Sequence, residues 1–383
     1  MNDNNVSEYT AILNEIKKPK VGIFPHMMVP IELLYAAQVH PIQLCLGGND
    51  ELTSIGTEYL TSGTCPLSRG TLGYFKSEHD LYDKINYIIG GNYCNGDLTT
   101  TEMINLYFNR ELIPIVFPTT SKPEAMQFFY KEVISFKKKL EEIFELTIED
   151  EQINDAIKKY NEMRALFREI DNKRIENSII NYVELQELIY QAMILGPDYI
   201  IDKLKGIKER YNQNGINNED NINNNINNDI NNDRNRSSKG KKIILTGSLI
   251  ALGDDFLQLL LDLDINLMVN DTEFGVQYYE KDIERNNEDP LKDLTEYYLK
   301  STTAARMYPN ETTIPRAINF YRKYNASGVI NHILKFCDPY VALKSYLKDE
   351  IQKENIPVLE IERDYSPVKG QLKTRIQAFL EMI

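Results

Sequence analysis

Two stretches of this chain alternate short apolar runs with helical ones, and that alternation limits the folds open to it. From Lys20 to about Pro118, "VGIFPHMM", "HPIQLCL", "INYIIG" and "LIPIVF" are strand-like. Between the first two lies "PIELLYAAQ", helical in pattern, with Pro30 at its first position and Glu32 in its first turn. After Gly240, "KKIILTGS", "INLMVND", "GVINHIL" and "IPVLEIERD" are strand-like, and "DDFLQLLLDLD", "VALKSYLKDEIQKEN" and "GQLKTRIQAFLEMI" are helical. Alternation of this kind belongs to parallel α/β architecture. A chain of 383 residues is also too long for one simple core.

Between the two blocks the pattern changes. "EAMQFFYKEVISFKKKLEEIF" and "EQINDAIKKYNEMRALFREI" repeat apolar residues at three- and four-residue spacing, and "TIED" ahead of the second is a capping signal with Thr147 at the cap. Asn212 to Ser238 then holds 13 asparagines in 27 residues. Nothing there has the apolar content to offset the entropy of ordering, so a disordered insert is expected, tolerated at a surface loop or serving as a partner tether. The expected organisation is an N-terminal helical segment (1–20), a first α/β domain (21–120), a helical segment (121–211), the Asn-rich insert (212–239) and a second α/β domain (240–383).

Composition narrows the class. Apolar residues make up 42% and charged residues 26%, ordinary for a globular protein whose core needs no staple. A net charge of −14 argues against a broad nucleic-acid surface, though not against a local basic pocket. The opening "MNDNNVSEYT" lacks the basic start and apolar core of a signal peptide, and "LLLDLDINLMV" is broken by Asp262 and Asp264, so no membrane span fits. A cytoplasmic protein is expected. In that reducing compartment, cysteines are inert, catalytic or metal-bound more often than paired.

There are four cysteines. Cys45, flanked by leucines in "IQLCLGG", fits a small buried apolar residue. Cys65 lies in the loop "TSGTCPLSRG", Cys94 in "GGNYCNGD" after a strand, and Cys337 after "GVINHIL". Ligands of open α/β sheets gather beyond the carboxyl ends of strands, where Cys94 and Cys337 both fall. No C-x₂-C pair exists and the histidines show no ligand spacing, so zinc is not indicated. Three thiolates on one [4Fe–4S] cluster would leave one iron open to chemistry. On the residues alone, three unconnected buried or surface thiols are the default, and the shared cluster is the alternative.

The surroundings of those cysteines resemble the 2-hydroxyacyl-CoA dehydratase D-component and benzoyl-CoA reductase subunit family. "GIFPHMMVPIELLYAAQVHPIQLCLGG" is similar to its opening signature, "TCPLSRGTLG" to its first cysteine loop, "INYIIGGNYCNGD" to its second and "ASGVINHILKFCDPY" to its third. "IPVLEIERDY" followed by "GQLKTRIQAFLE" is similar to its ending, and "TIEDEQINDAIKKYNEMRALFREI" also fits. The likeness covers nearly the whole chain apart from the insert. Two departures bear on substrate: "CNG" follows Cys94 where many relatives carry an acidic residue, and "YYLKSTTAARM" lacks a cysteine found near there in several.

The resemblance implies two Rossmann-like parallel-sheet domains facing a cleft, with Cys65, Cys94 and Cys337 holding one [4Fe–4S] cluster that clamps the domains together. Cys45 has no counterpart. It also implies an ATP-hydrolysing activator, itself carrying an Fe–S cluster, that delivers single electrons, and a homologous subunit in a hetero- or homodimer. In the dehydratases the electron passes to the thioester carbonyl of a 2-hydroxyacyl-CoA, and the resulting ketyl radical expels the adjacent hydroxyl as water. The β-hydrogen is not acidic, so ordinary elimination is blocked; the radical route opens it, with the cofactor supplying the hard step. His26 and Glu32, at the end of the first strand and the start of its helix, are candidates for acid–base or substrate-orienting roles; Glu32 also fits a first-turn acid complementing the helix dipole. Arg69 is expected to meet a cluster or a CoA phosphate, or to be solvated. Gln371 and Arg375 are expected to pin the last helix near the cleft or touch a partner. His332 is expected as a core histidine, and "TGS" (246–248) is too short for a phosphate loop. The competing functions are a non-catalytic electron-transfer or scaffold subunit, an ATP-coupled reductase of another substrate, and a metal-free binding module.

Overall fold

A computed structural model describes residues 3–26, 28–177, 179–216, 240–301, 306–365 and 369–383. The first part runs α1 (Asp3–Glu15), β1 (Lys20–Ile23), α2 (Ile31–Ala36), β2 (His40–Gln43), α3 (Asp50–Ile55), α4 (Pro66–Lys76), α5 (Asp80–Asp83), β3 (Tyr87–Gly91), α6 (Asn95–Phe108) and β4 (Glu111–Ile115). Four helices follow: α7 (Pro123–Ile143), α8 (Asp150–Asn177), α9 (Tyr182–Leu195) and α10 (Pro197–Ile216). The last part runs β5 (Lys242–Gly247), α11 (Phe256–Asp262), β6 (Asn266–Thr272), α12 (Pro290–Ser301), α13 (Thr313–Lys323), β7 (Gly328–Leu334), α14 (Asp338–Lys353), β8 (Val358–Arg363) and α15 (Lys369–Met382).

The strands form two four-stranded sheets, β2-β1-β3-β4 and β6-β5-β7-β8, and every pairing is parallel. The α/β expectation therefore holds. No sequence repeat announces it, yet both sheets use the same order. In each, winding reverses between the first and third strands, β1 and β3 or β5 and β7. A crevice opens there at the carboxyl ends. All seven residues of β7 are buried, as a strand covered on both faces requires.

Two details differ from expectation. α8 begins at Asp150, not next to Thr147; the Gln152 side chain accepts from the Glu149 N–H at 2.7 Å, so the cap sits two residues later. α10 continues through Ile216, into the segment expected to lack structure, because each residue added to a formed helix brings its own hydrogen bond. The rest of that segment, 217–239, lies outside the described residues.

One core joins the first sheet to α7–α10 and reaches Leu249, Leu334 and Tyr365 beside the second sheet. The backbones also meet. Leu46 pairs with Leu252 in a single parallel bridge, with Leu252 N–H donating to the Cys45 carbonyl at 2.7 Å and Gly47 N–H to the Leu252 carbonyl at 2.9 Å. Cys45 thus lies just past β2, fully buried, and burial pushes its thiol far above the ordinary range, as a small apolar residue would have it. Among the described residues no helix is long and apolar enough to cross a membrane.

Candidate functional site

Cys65, Cys94 and Cys337 share one local device: each is the N-cap of a helix, α4, α6 and α14 respectively. Their carbonyls accept the first intrahelical bonds, from Arg69 (3.1 Å), Leu98 (2.9 Å) and Val341 (2.9 Å). Pro66 is the first residue of α4 and Pro339 the second of α14, positions where the missing N–H costs nothing. Cys94 and Cys337 occupy equivalent places, each opening the helix after the third strand of its sheet, beside the crevice. A Cβ on Gly96 would lie 3.6 Å from Cys94 Sγ and 3.7 Å from Cys65 Cβ, so the bare glycine gives these cysteines room.

The three thiols are free and feel one another. Burial and then the neighbouring Cys94 push Cys65 up to about 12. Burial, then Cys65, Glu273 and Cys94, hold Cys337 well above its ordinary value. Three helix N-termini, each worth roughly +0.5 of a charge, favour anions there. At Cys65 and Cys337, burial and the neighbouring thiols oppose ionisation until a cation is present. A donor set of this kind fits a metal group that binds thiolates and displaces their protons.

Ionisable groups from both sheets surround the thiols. His26, three residues past β1, places Nε2 at 2.6 Å from Asp97 Oδ2, and both side chains are over nine-tenths buried. Burial works against a charged ring, but the charge and hydrogen bond of Asp97, with a contact to Cys94, hold His26 well above its usual range. Among the described residues, His26 Nδ1 is buried with no partner. A nitrogen of His26, Cys94 Sγ and an Asp97 oxygen lie within 4.8 Å of one another. Phe24, Tyr93 and Phe274 wall the imidazole, with ring centroids at 5.9, 6.0 and 6.2 Å.

Glu273 follows β6; burial raises its carboxyl, with Asp97 adding to the rise and His26, Tyr340 and Arg306 acting against it. Arg306 Nη2 donates to Cys94 Sγ at 3.7 Å. Sequence reasoning missed Asp97, Glu273 and Arg306. Asp97 and Glu273 carried one signal, an acid just past the carboxyl end of a strand; Arg306 carried none.

The other candidates fall elsewhere. Glu32 is fully buried, its Oε1 bonded to Arg164 Nη2 at 2.5 Å and its Oε2 to the Tyr298 hydroxyl at 2.7 Å. Both of its oxygens are therefore engaged in tying α2 to α8 and α12. Arg69 is buried rather than solvated: Nε donates to the Thr64 carbonyl at 3.0 Å, and Nη2 sits 3.6 Å from Asp364 beyond β8. Arg375 donates to the Glu360 carbonyl at 2.8 Å and, with Gln371, lines a cavity of about 720 Å³ against Phe256 and Arg363. His332 is a satisfied core histidine, 3.1 Å from the Ser248 carbonyl and accepting from Arg363 Nε at 2.9 Å. The turn at Gly247 (φ 116°) ties β5 to β7, with Ser248 N–H donating to the His332 carbonyl at 2.8 Å, and is no phosphate loop.

The chain is 25% identical over 366 residues to the (R)-phenyllactyl-CoA dehydratase beta subunit of Clostridium sporogenes, covering 95% of this chain and 91% of that one. It is 23% identical over 380 residues to the beta subunit of (R)-2-hydroxyglutaryl-CoA dehydratase from Acidaminococcus fermentans, covering 96% and 93%. The model of the family described as 2-hydroxyglutaryl-CoA dehydratase, D-component, matches residues 26–383, and the chain belongs to that family.

Proposed function

We propose that this chain is the iron–sulfur subunit of a cytoplasmic 2-hydroxyacyl-CoA dehydratase, with Cys65, Cys94 and Cys337 as ligands of a [4Fe–4S] cluster. The observation that supports it most is the meeting of three free, half-buried thiols, each at a helix N-terminus, drawn from both sheets. When bound, such a cluster supplies single electrons at low potential and one iron open to a substrate oxygen.

The chain's own residues would do the rest. The helix N-termini lower the cost of concentrating negative charge between the sheets. His26 and Asp97 share a proton beside Cys94, and burial raises the Glu273 carboxyl toward its protonated form. Elimination of a hydroxyl as water needs a proton delivered to the leaving oxygen, and these are the groups placed to deliver it. Phe24, Tyr93 and Phe274 keep bulk water from the imidazole. The names of the two relatives support a thioester of coenzyme A with a 2-hydroxyl as substrate class. Their designation as beta subunits supports a homologous partner subunit. An ATP-dependent activator carrying its own Fe–S cluster completes the proposal, and the chain divides into α/β domains at 21–120 and 240–383.

The test is to purify the protein without oxygen and count iron and acid-labile sulfide, beside Cys→Ala variants at 45, 65, 94 and 337. About four irons per chain, kept in the Cys45 variant and lost in the other three, would support the ligand set. An activator-plus-acyl-CoA assay then separates a catalytic subunit, which turns over, from a pure electron carrier, which binds no acyl-CoA. No iron after anaerobic reconstitution sinks the proposal.

A further inference from the structure

Arg306 stands between the two sheets at the thiol site. It lies in the connection between α12 and α13, yet Nη2 reaches Cys94 Sγ of the other sheet at 3.7 Å, across 212 positions of sequence. The same Nη2 lies 3.7 Å from Asp338 Oδ2, the residue after Cys337. One guanidinium therefore touches the sulfur of one sheet and a carboxylate in the cysteine turn of the other. Its Nε is buried without a partner among the described residues, while the side chain as a whole is 21% exposed. Asp338 is two-thirds exposed, too open to hold the arginine there by itself.

We propose that Arg306 is a positioning residue for the metal group. It donates an N–H···S hydrogen bond and a fixed positive charge to Cys94, and so raises the reduction potential of the cluster that Cys65, Cys94 and Cys337 hold. This deepens the function proposed above and rests on it. The physics is direct. Reduction adds a negative charge to the cluster, and a nearby cation favours the reduced state. Hydrogen bonds to cluster sulfurs act in the same direction and are among the protein's main controls on potential. Arginine stays protonated throughout the working pH range, so the effect is constant rather than switched. Among the three cysteines, Cys94 would then be the electronically distinct one.

The test is a redox titration of the reconstituted full chain, followed by the electron paramagnetic resonance of the reduced cluster, for wild type, R306M and R306K. Iron content and melting temperature are measured beside it. R306M is expected to keep its iron and its melting temperature. Its midpoint should move to more negative potential by at least about 59 mV, a tenfold change in a one-electron equilibrium. R306K, which restores a cation and an N–H donor, should recover most of that shift. A residue that merely fills space would leave the potential where it is. Equal potentials in wild type and R306M overturn the inference while leaving the cluster standing. Absence of iron from wild type overturns the underlying function instead. Should R306M lose iron, R306Q is measured, which keeps a donor and drops the charge; a lowered potential supports the inference and an unchanged one overturns it.

Discussion

Glu32 was a candidate for acid–base chemistry on sequence grounds, and its surroundings predict that its loss is felt first in stability. The carboxylate is fully buried, Arg164 is 3% exposed, and they meet at 2.5 Å with the Tyr298 hydroxyl on the second oxygen. The Arg164 guanidinium also lies over Tyr297 at 4.8 Å and Tyr160 at 5.7 Å. Glu32→Ala leaves that guanidinium charged, buried and without its counter-ion. Breaking a buried pair in this way costs about 3–5 kcal/mol. With a urea slope of about 3 kcal/mol/M, the upper end of the usual range, the midpoint should fall by about 1 M or more. Tyrosine fluorescence can follow the transition, since the chain has 24 tyrosines and no tryptophan. Removing both charges changes the balance, because Arg164 Nε is unpartnered and the pair is not fully satisfied. The double variant E32L/R164M should therefore be more stable than E32A. If E32A unfolds with the wild-type midpoint, or the double variant is no better than E32A, the electrostatic argument is wrong. A Glu32 devoted to acid–base work would spare the midpoint and reduce turnover alone.

Three further expectations concern other parts of the molecule. Burial, with Lys20 and Lys18 adding to it against the Ile194 carbonyl, depresses His40 from 6.5 to about 4. Its folded pKa lies below the unfolded one, so its contribution is fully present above about pH 6.5 and is lost as pH falls toward about 4. At 1.36 kcal/mol per pH unit this amounts to about 3 kcal/mol, and urea midpoints across that window should fall less steeply in His40→Gln; parallel slopes would refute it. A Cβ at Gly96 lies 2.8 Å from Ser68 Oγ and 3.6 Å from Cys94 Sγ, so Gly96→Ala requires only a serine to swing, whereas the methyls of Gly96→Val crowd the thiols. Iron per chain should fall in the valine variant and hold in the alanine one, and equal loading would show that the glycine does not keep this space. Chelation of the metal should speed limited proteolysis of wild type to the rate of Cys337→Ala, because the cluster is proposed to bind the sheets together; no change in rate would show that packing alone suffices.

The strands were legible because parallel strands buried on both faces are nearly continuous apolar runs; "GVINHIL" coincides with β7 residue for residue. Several helices were not. α6, with "LTTTEMINLYF", carries three threonines in a row and buries only Asp97, Thr100, Thr101 and Ile104, so it shows no wide apolar stripe. Cysteine position was legible through loop chemistry and family likeness, since each thiol follows a strand or opens a Pro- or Gly-marked helix. The charged groups around them were not. Arg306 contacts Cys94 across 212 positions, and Arg164 contacts Glu32 across 132. A side chain on a connection carries no periodicity that says what it will meet. Glu32 shows the same limit from the other side, for its place at a strand end suggested the cleft while its partners hold it in the core.

The common order of the two sheets explains why the thiols come in the pattern they do. Cys94 and Cys337 sit at equivalent positions, after β3 and after β7, so one crevice rule applied twice accounts for both. Cys65 breaks the symmetry. It enters from the connection between β2 and β3, whereas the corresponding connection between β6 and β7 supplies Glu273 and Arg306. The first sheet therefore contributes two of the three sulfurs, and the second contributes one sulfur with a carboxyl and a guanidinium. That division has a chemical consequence. Three gathered thiols suit a metal group that binds thiolates, while the fixed cation of Arg306 opposite them would offset negative charge there and burial raises the nearby Glu273 carboxyl. Under the proposed function, groups of the second kind would suit coupled electron and proton transfer. An additional cysteine in the β6–β7 connection, Arg306→Cys, would bring a fourth thiol to the site and remove the compensating charge together.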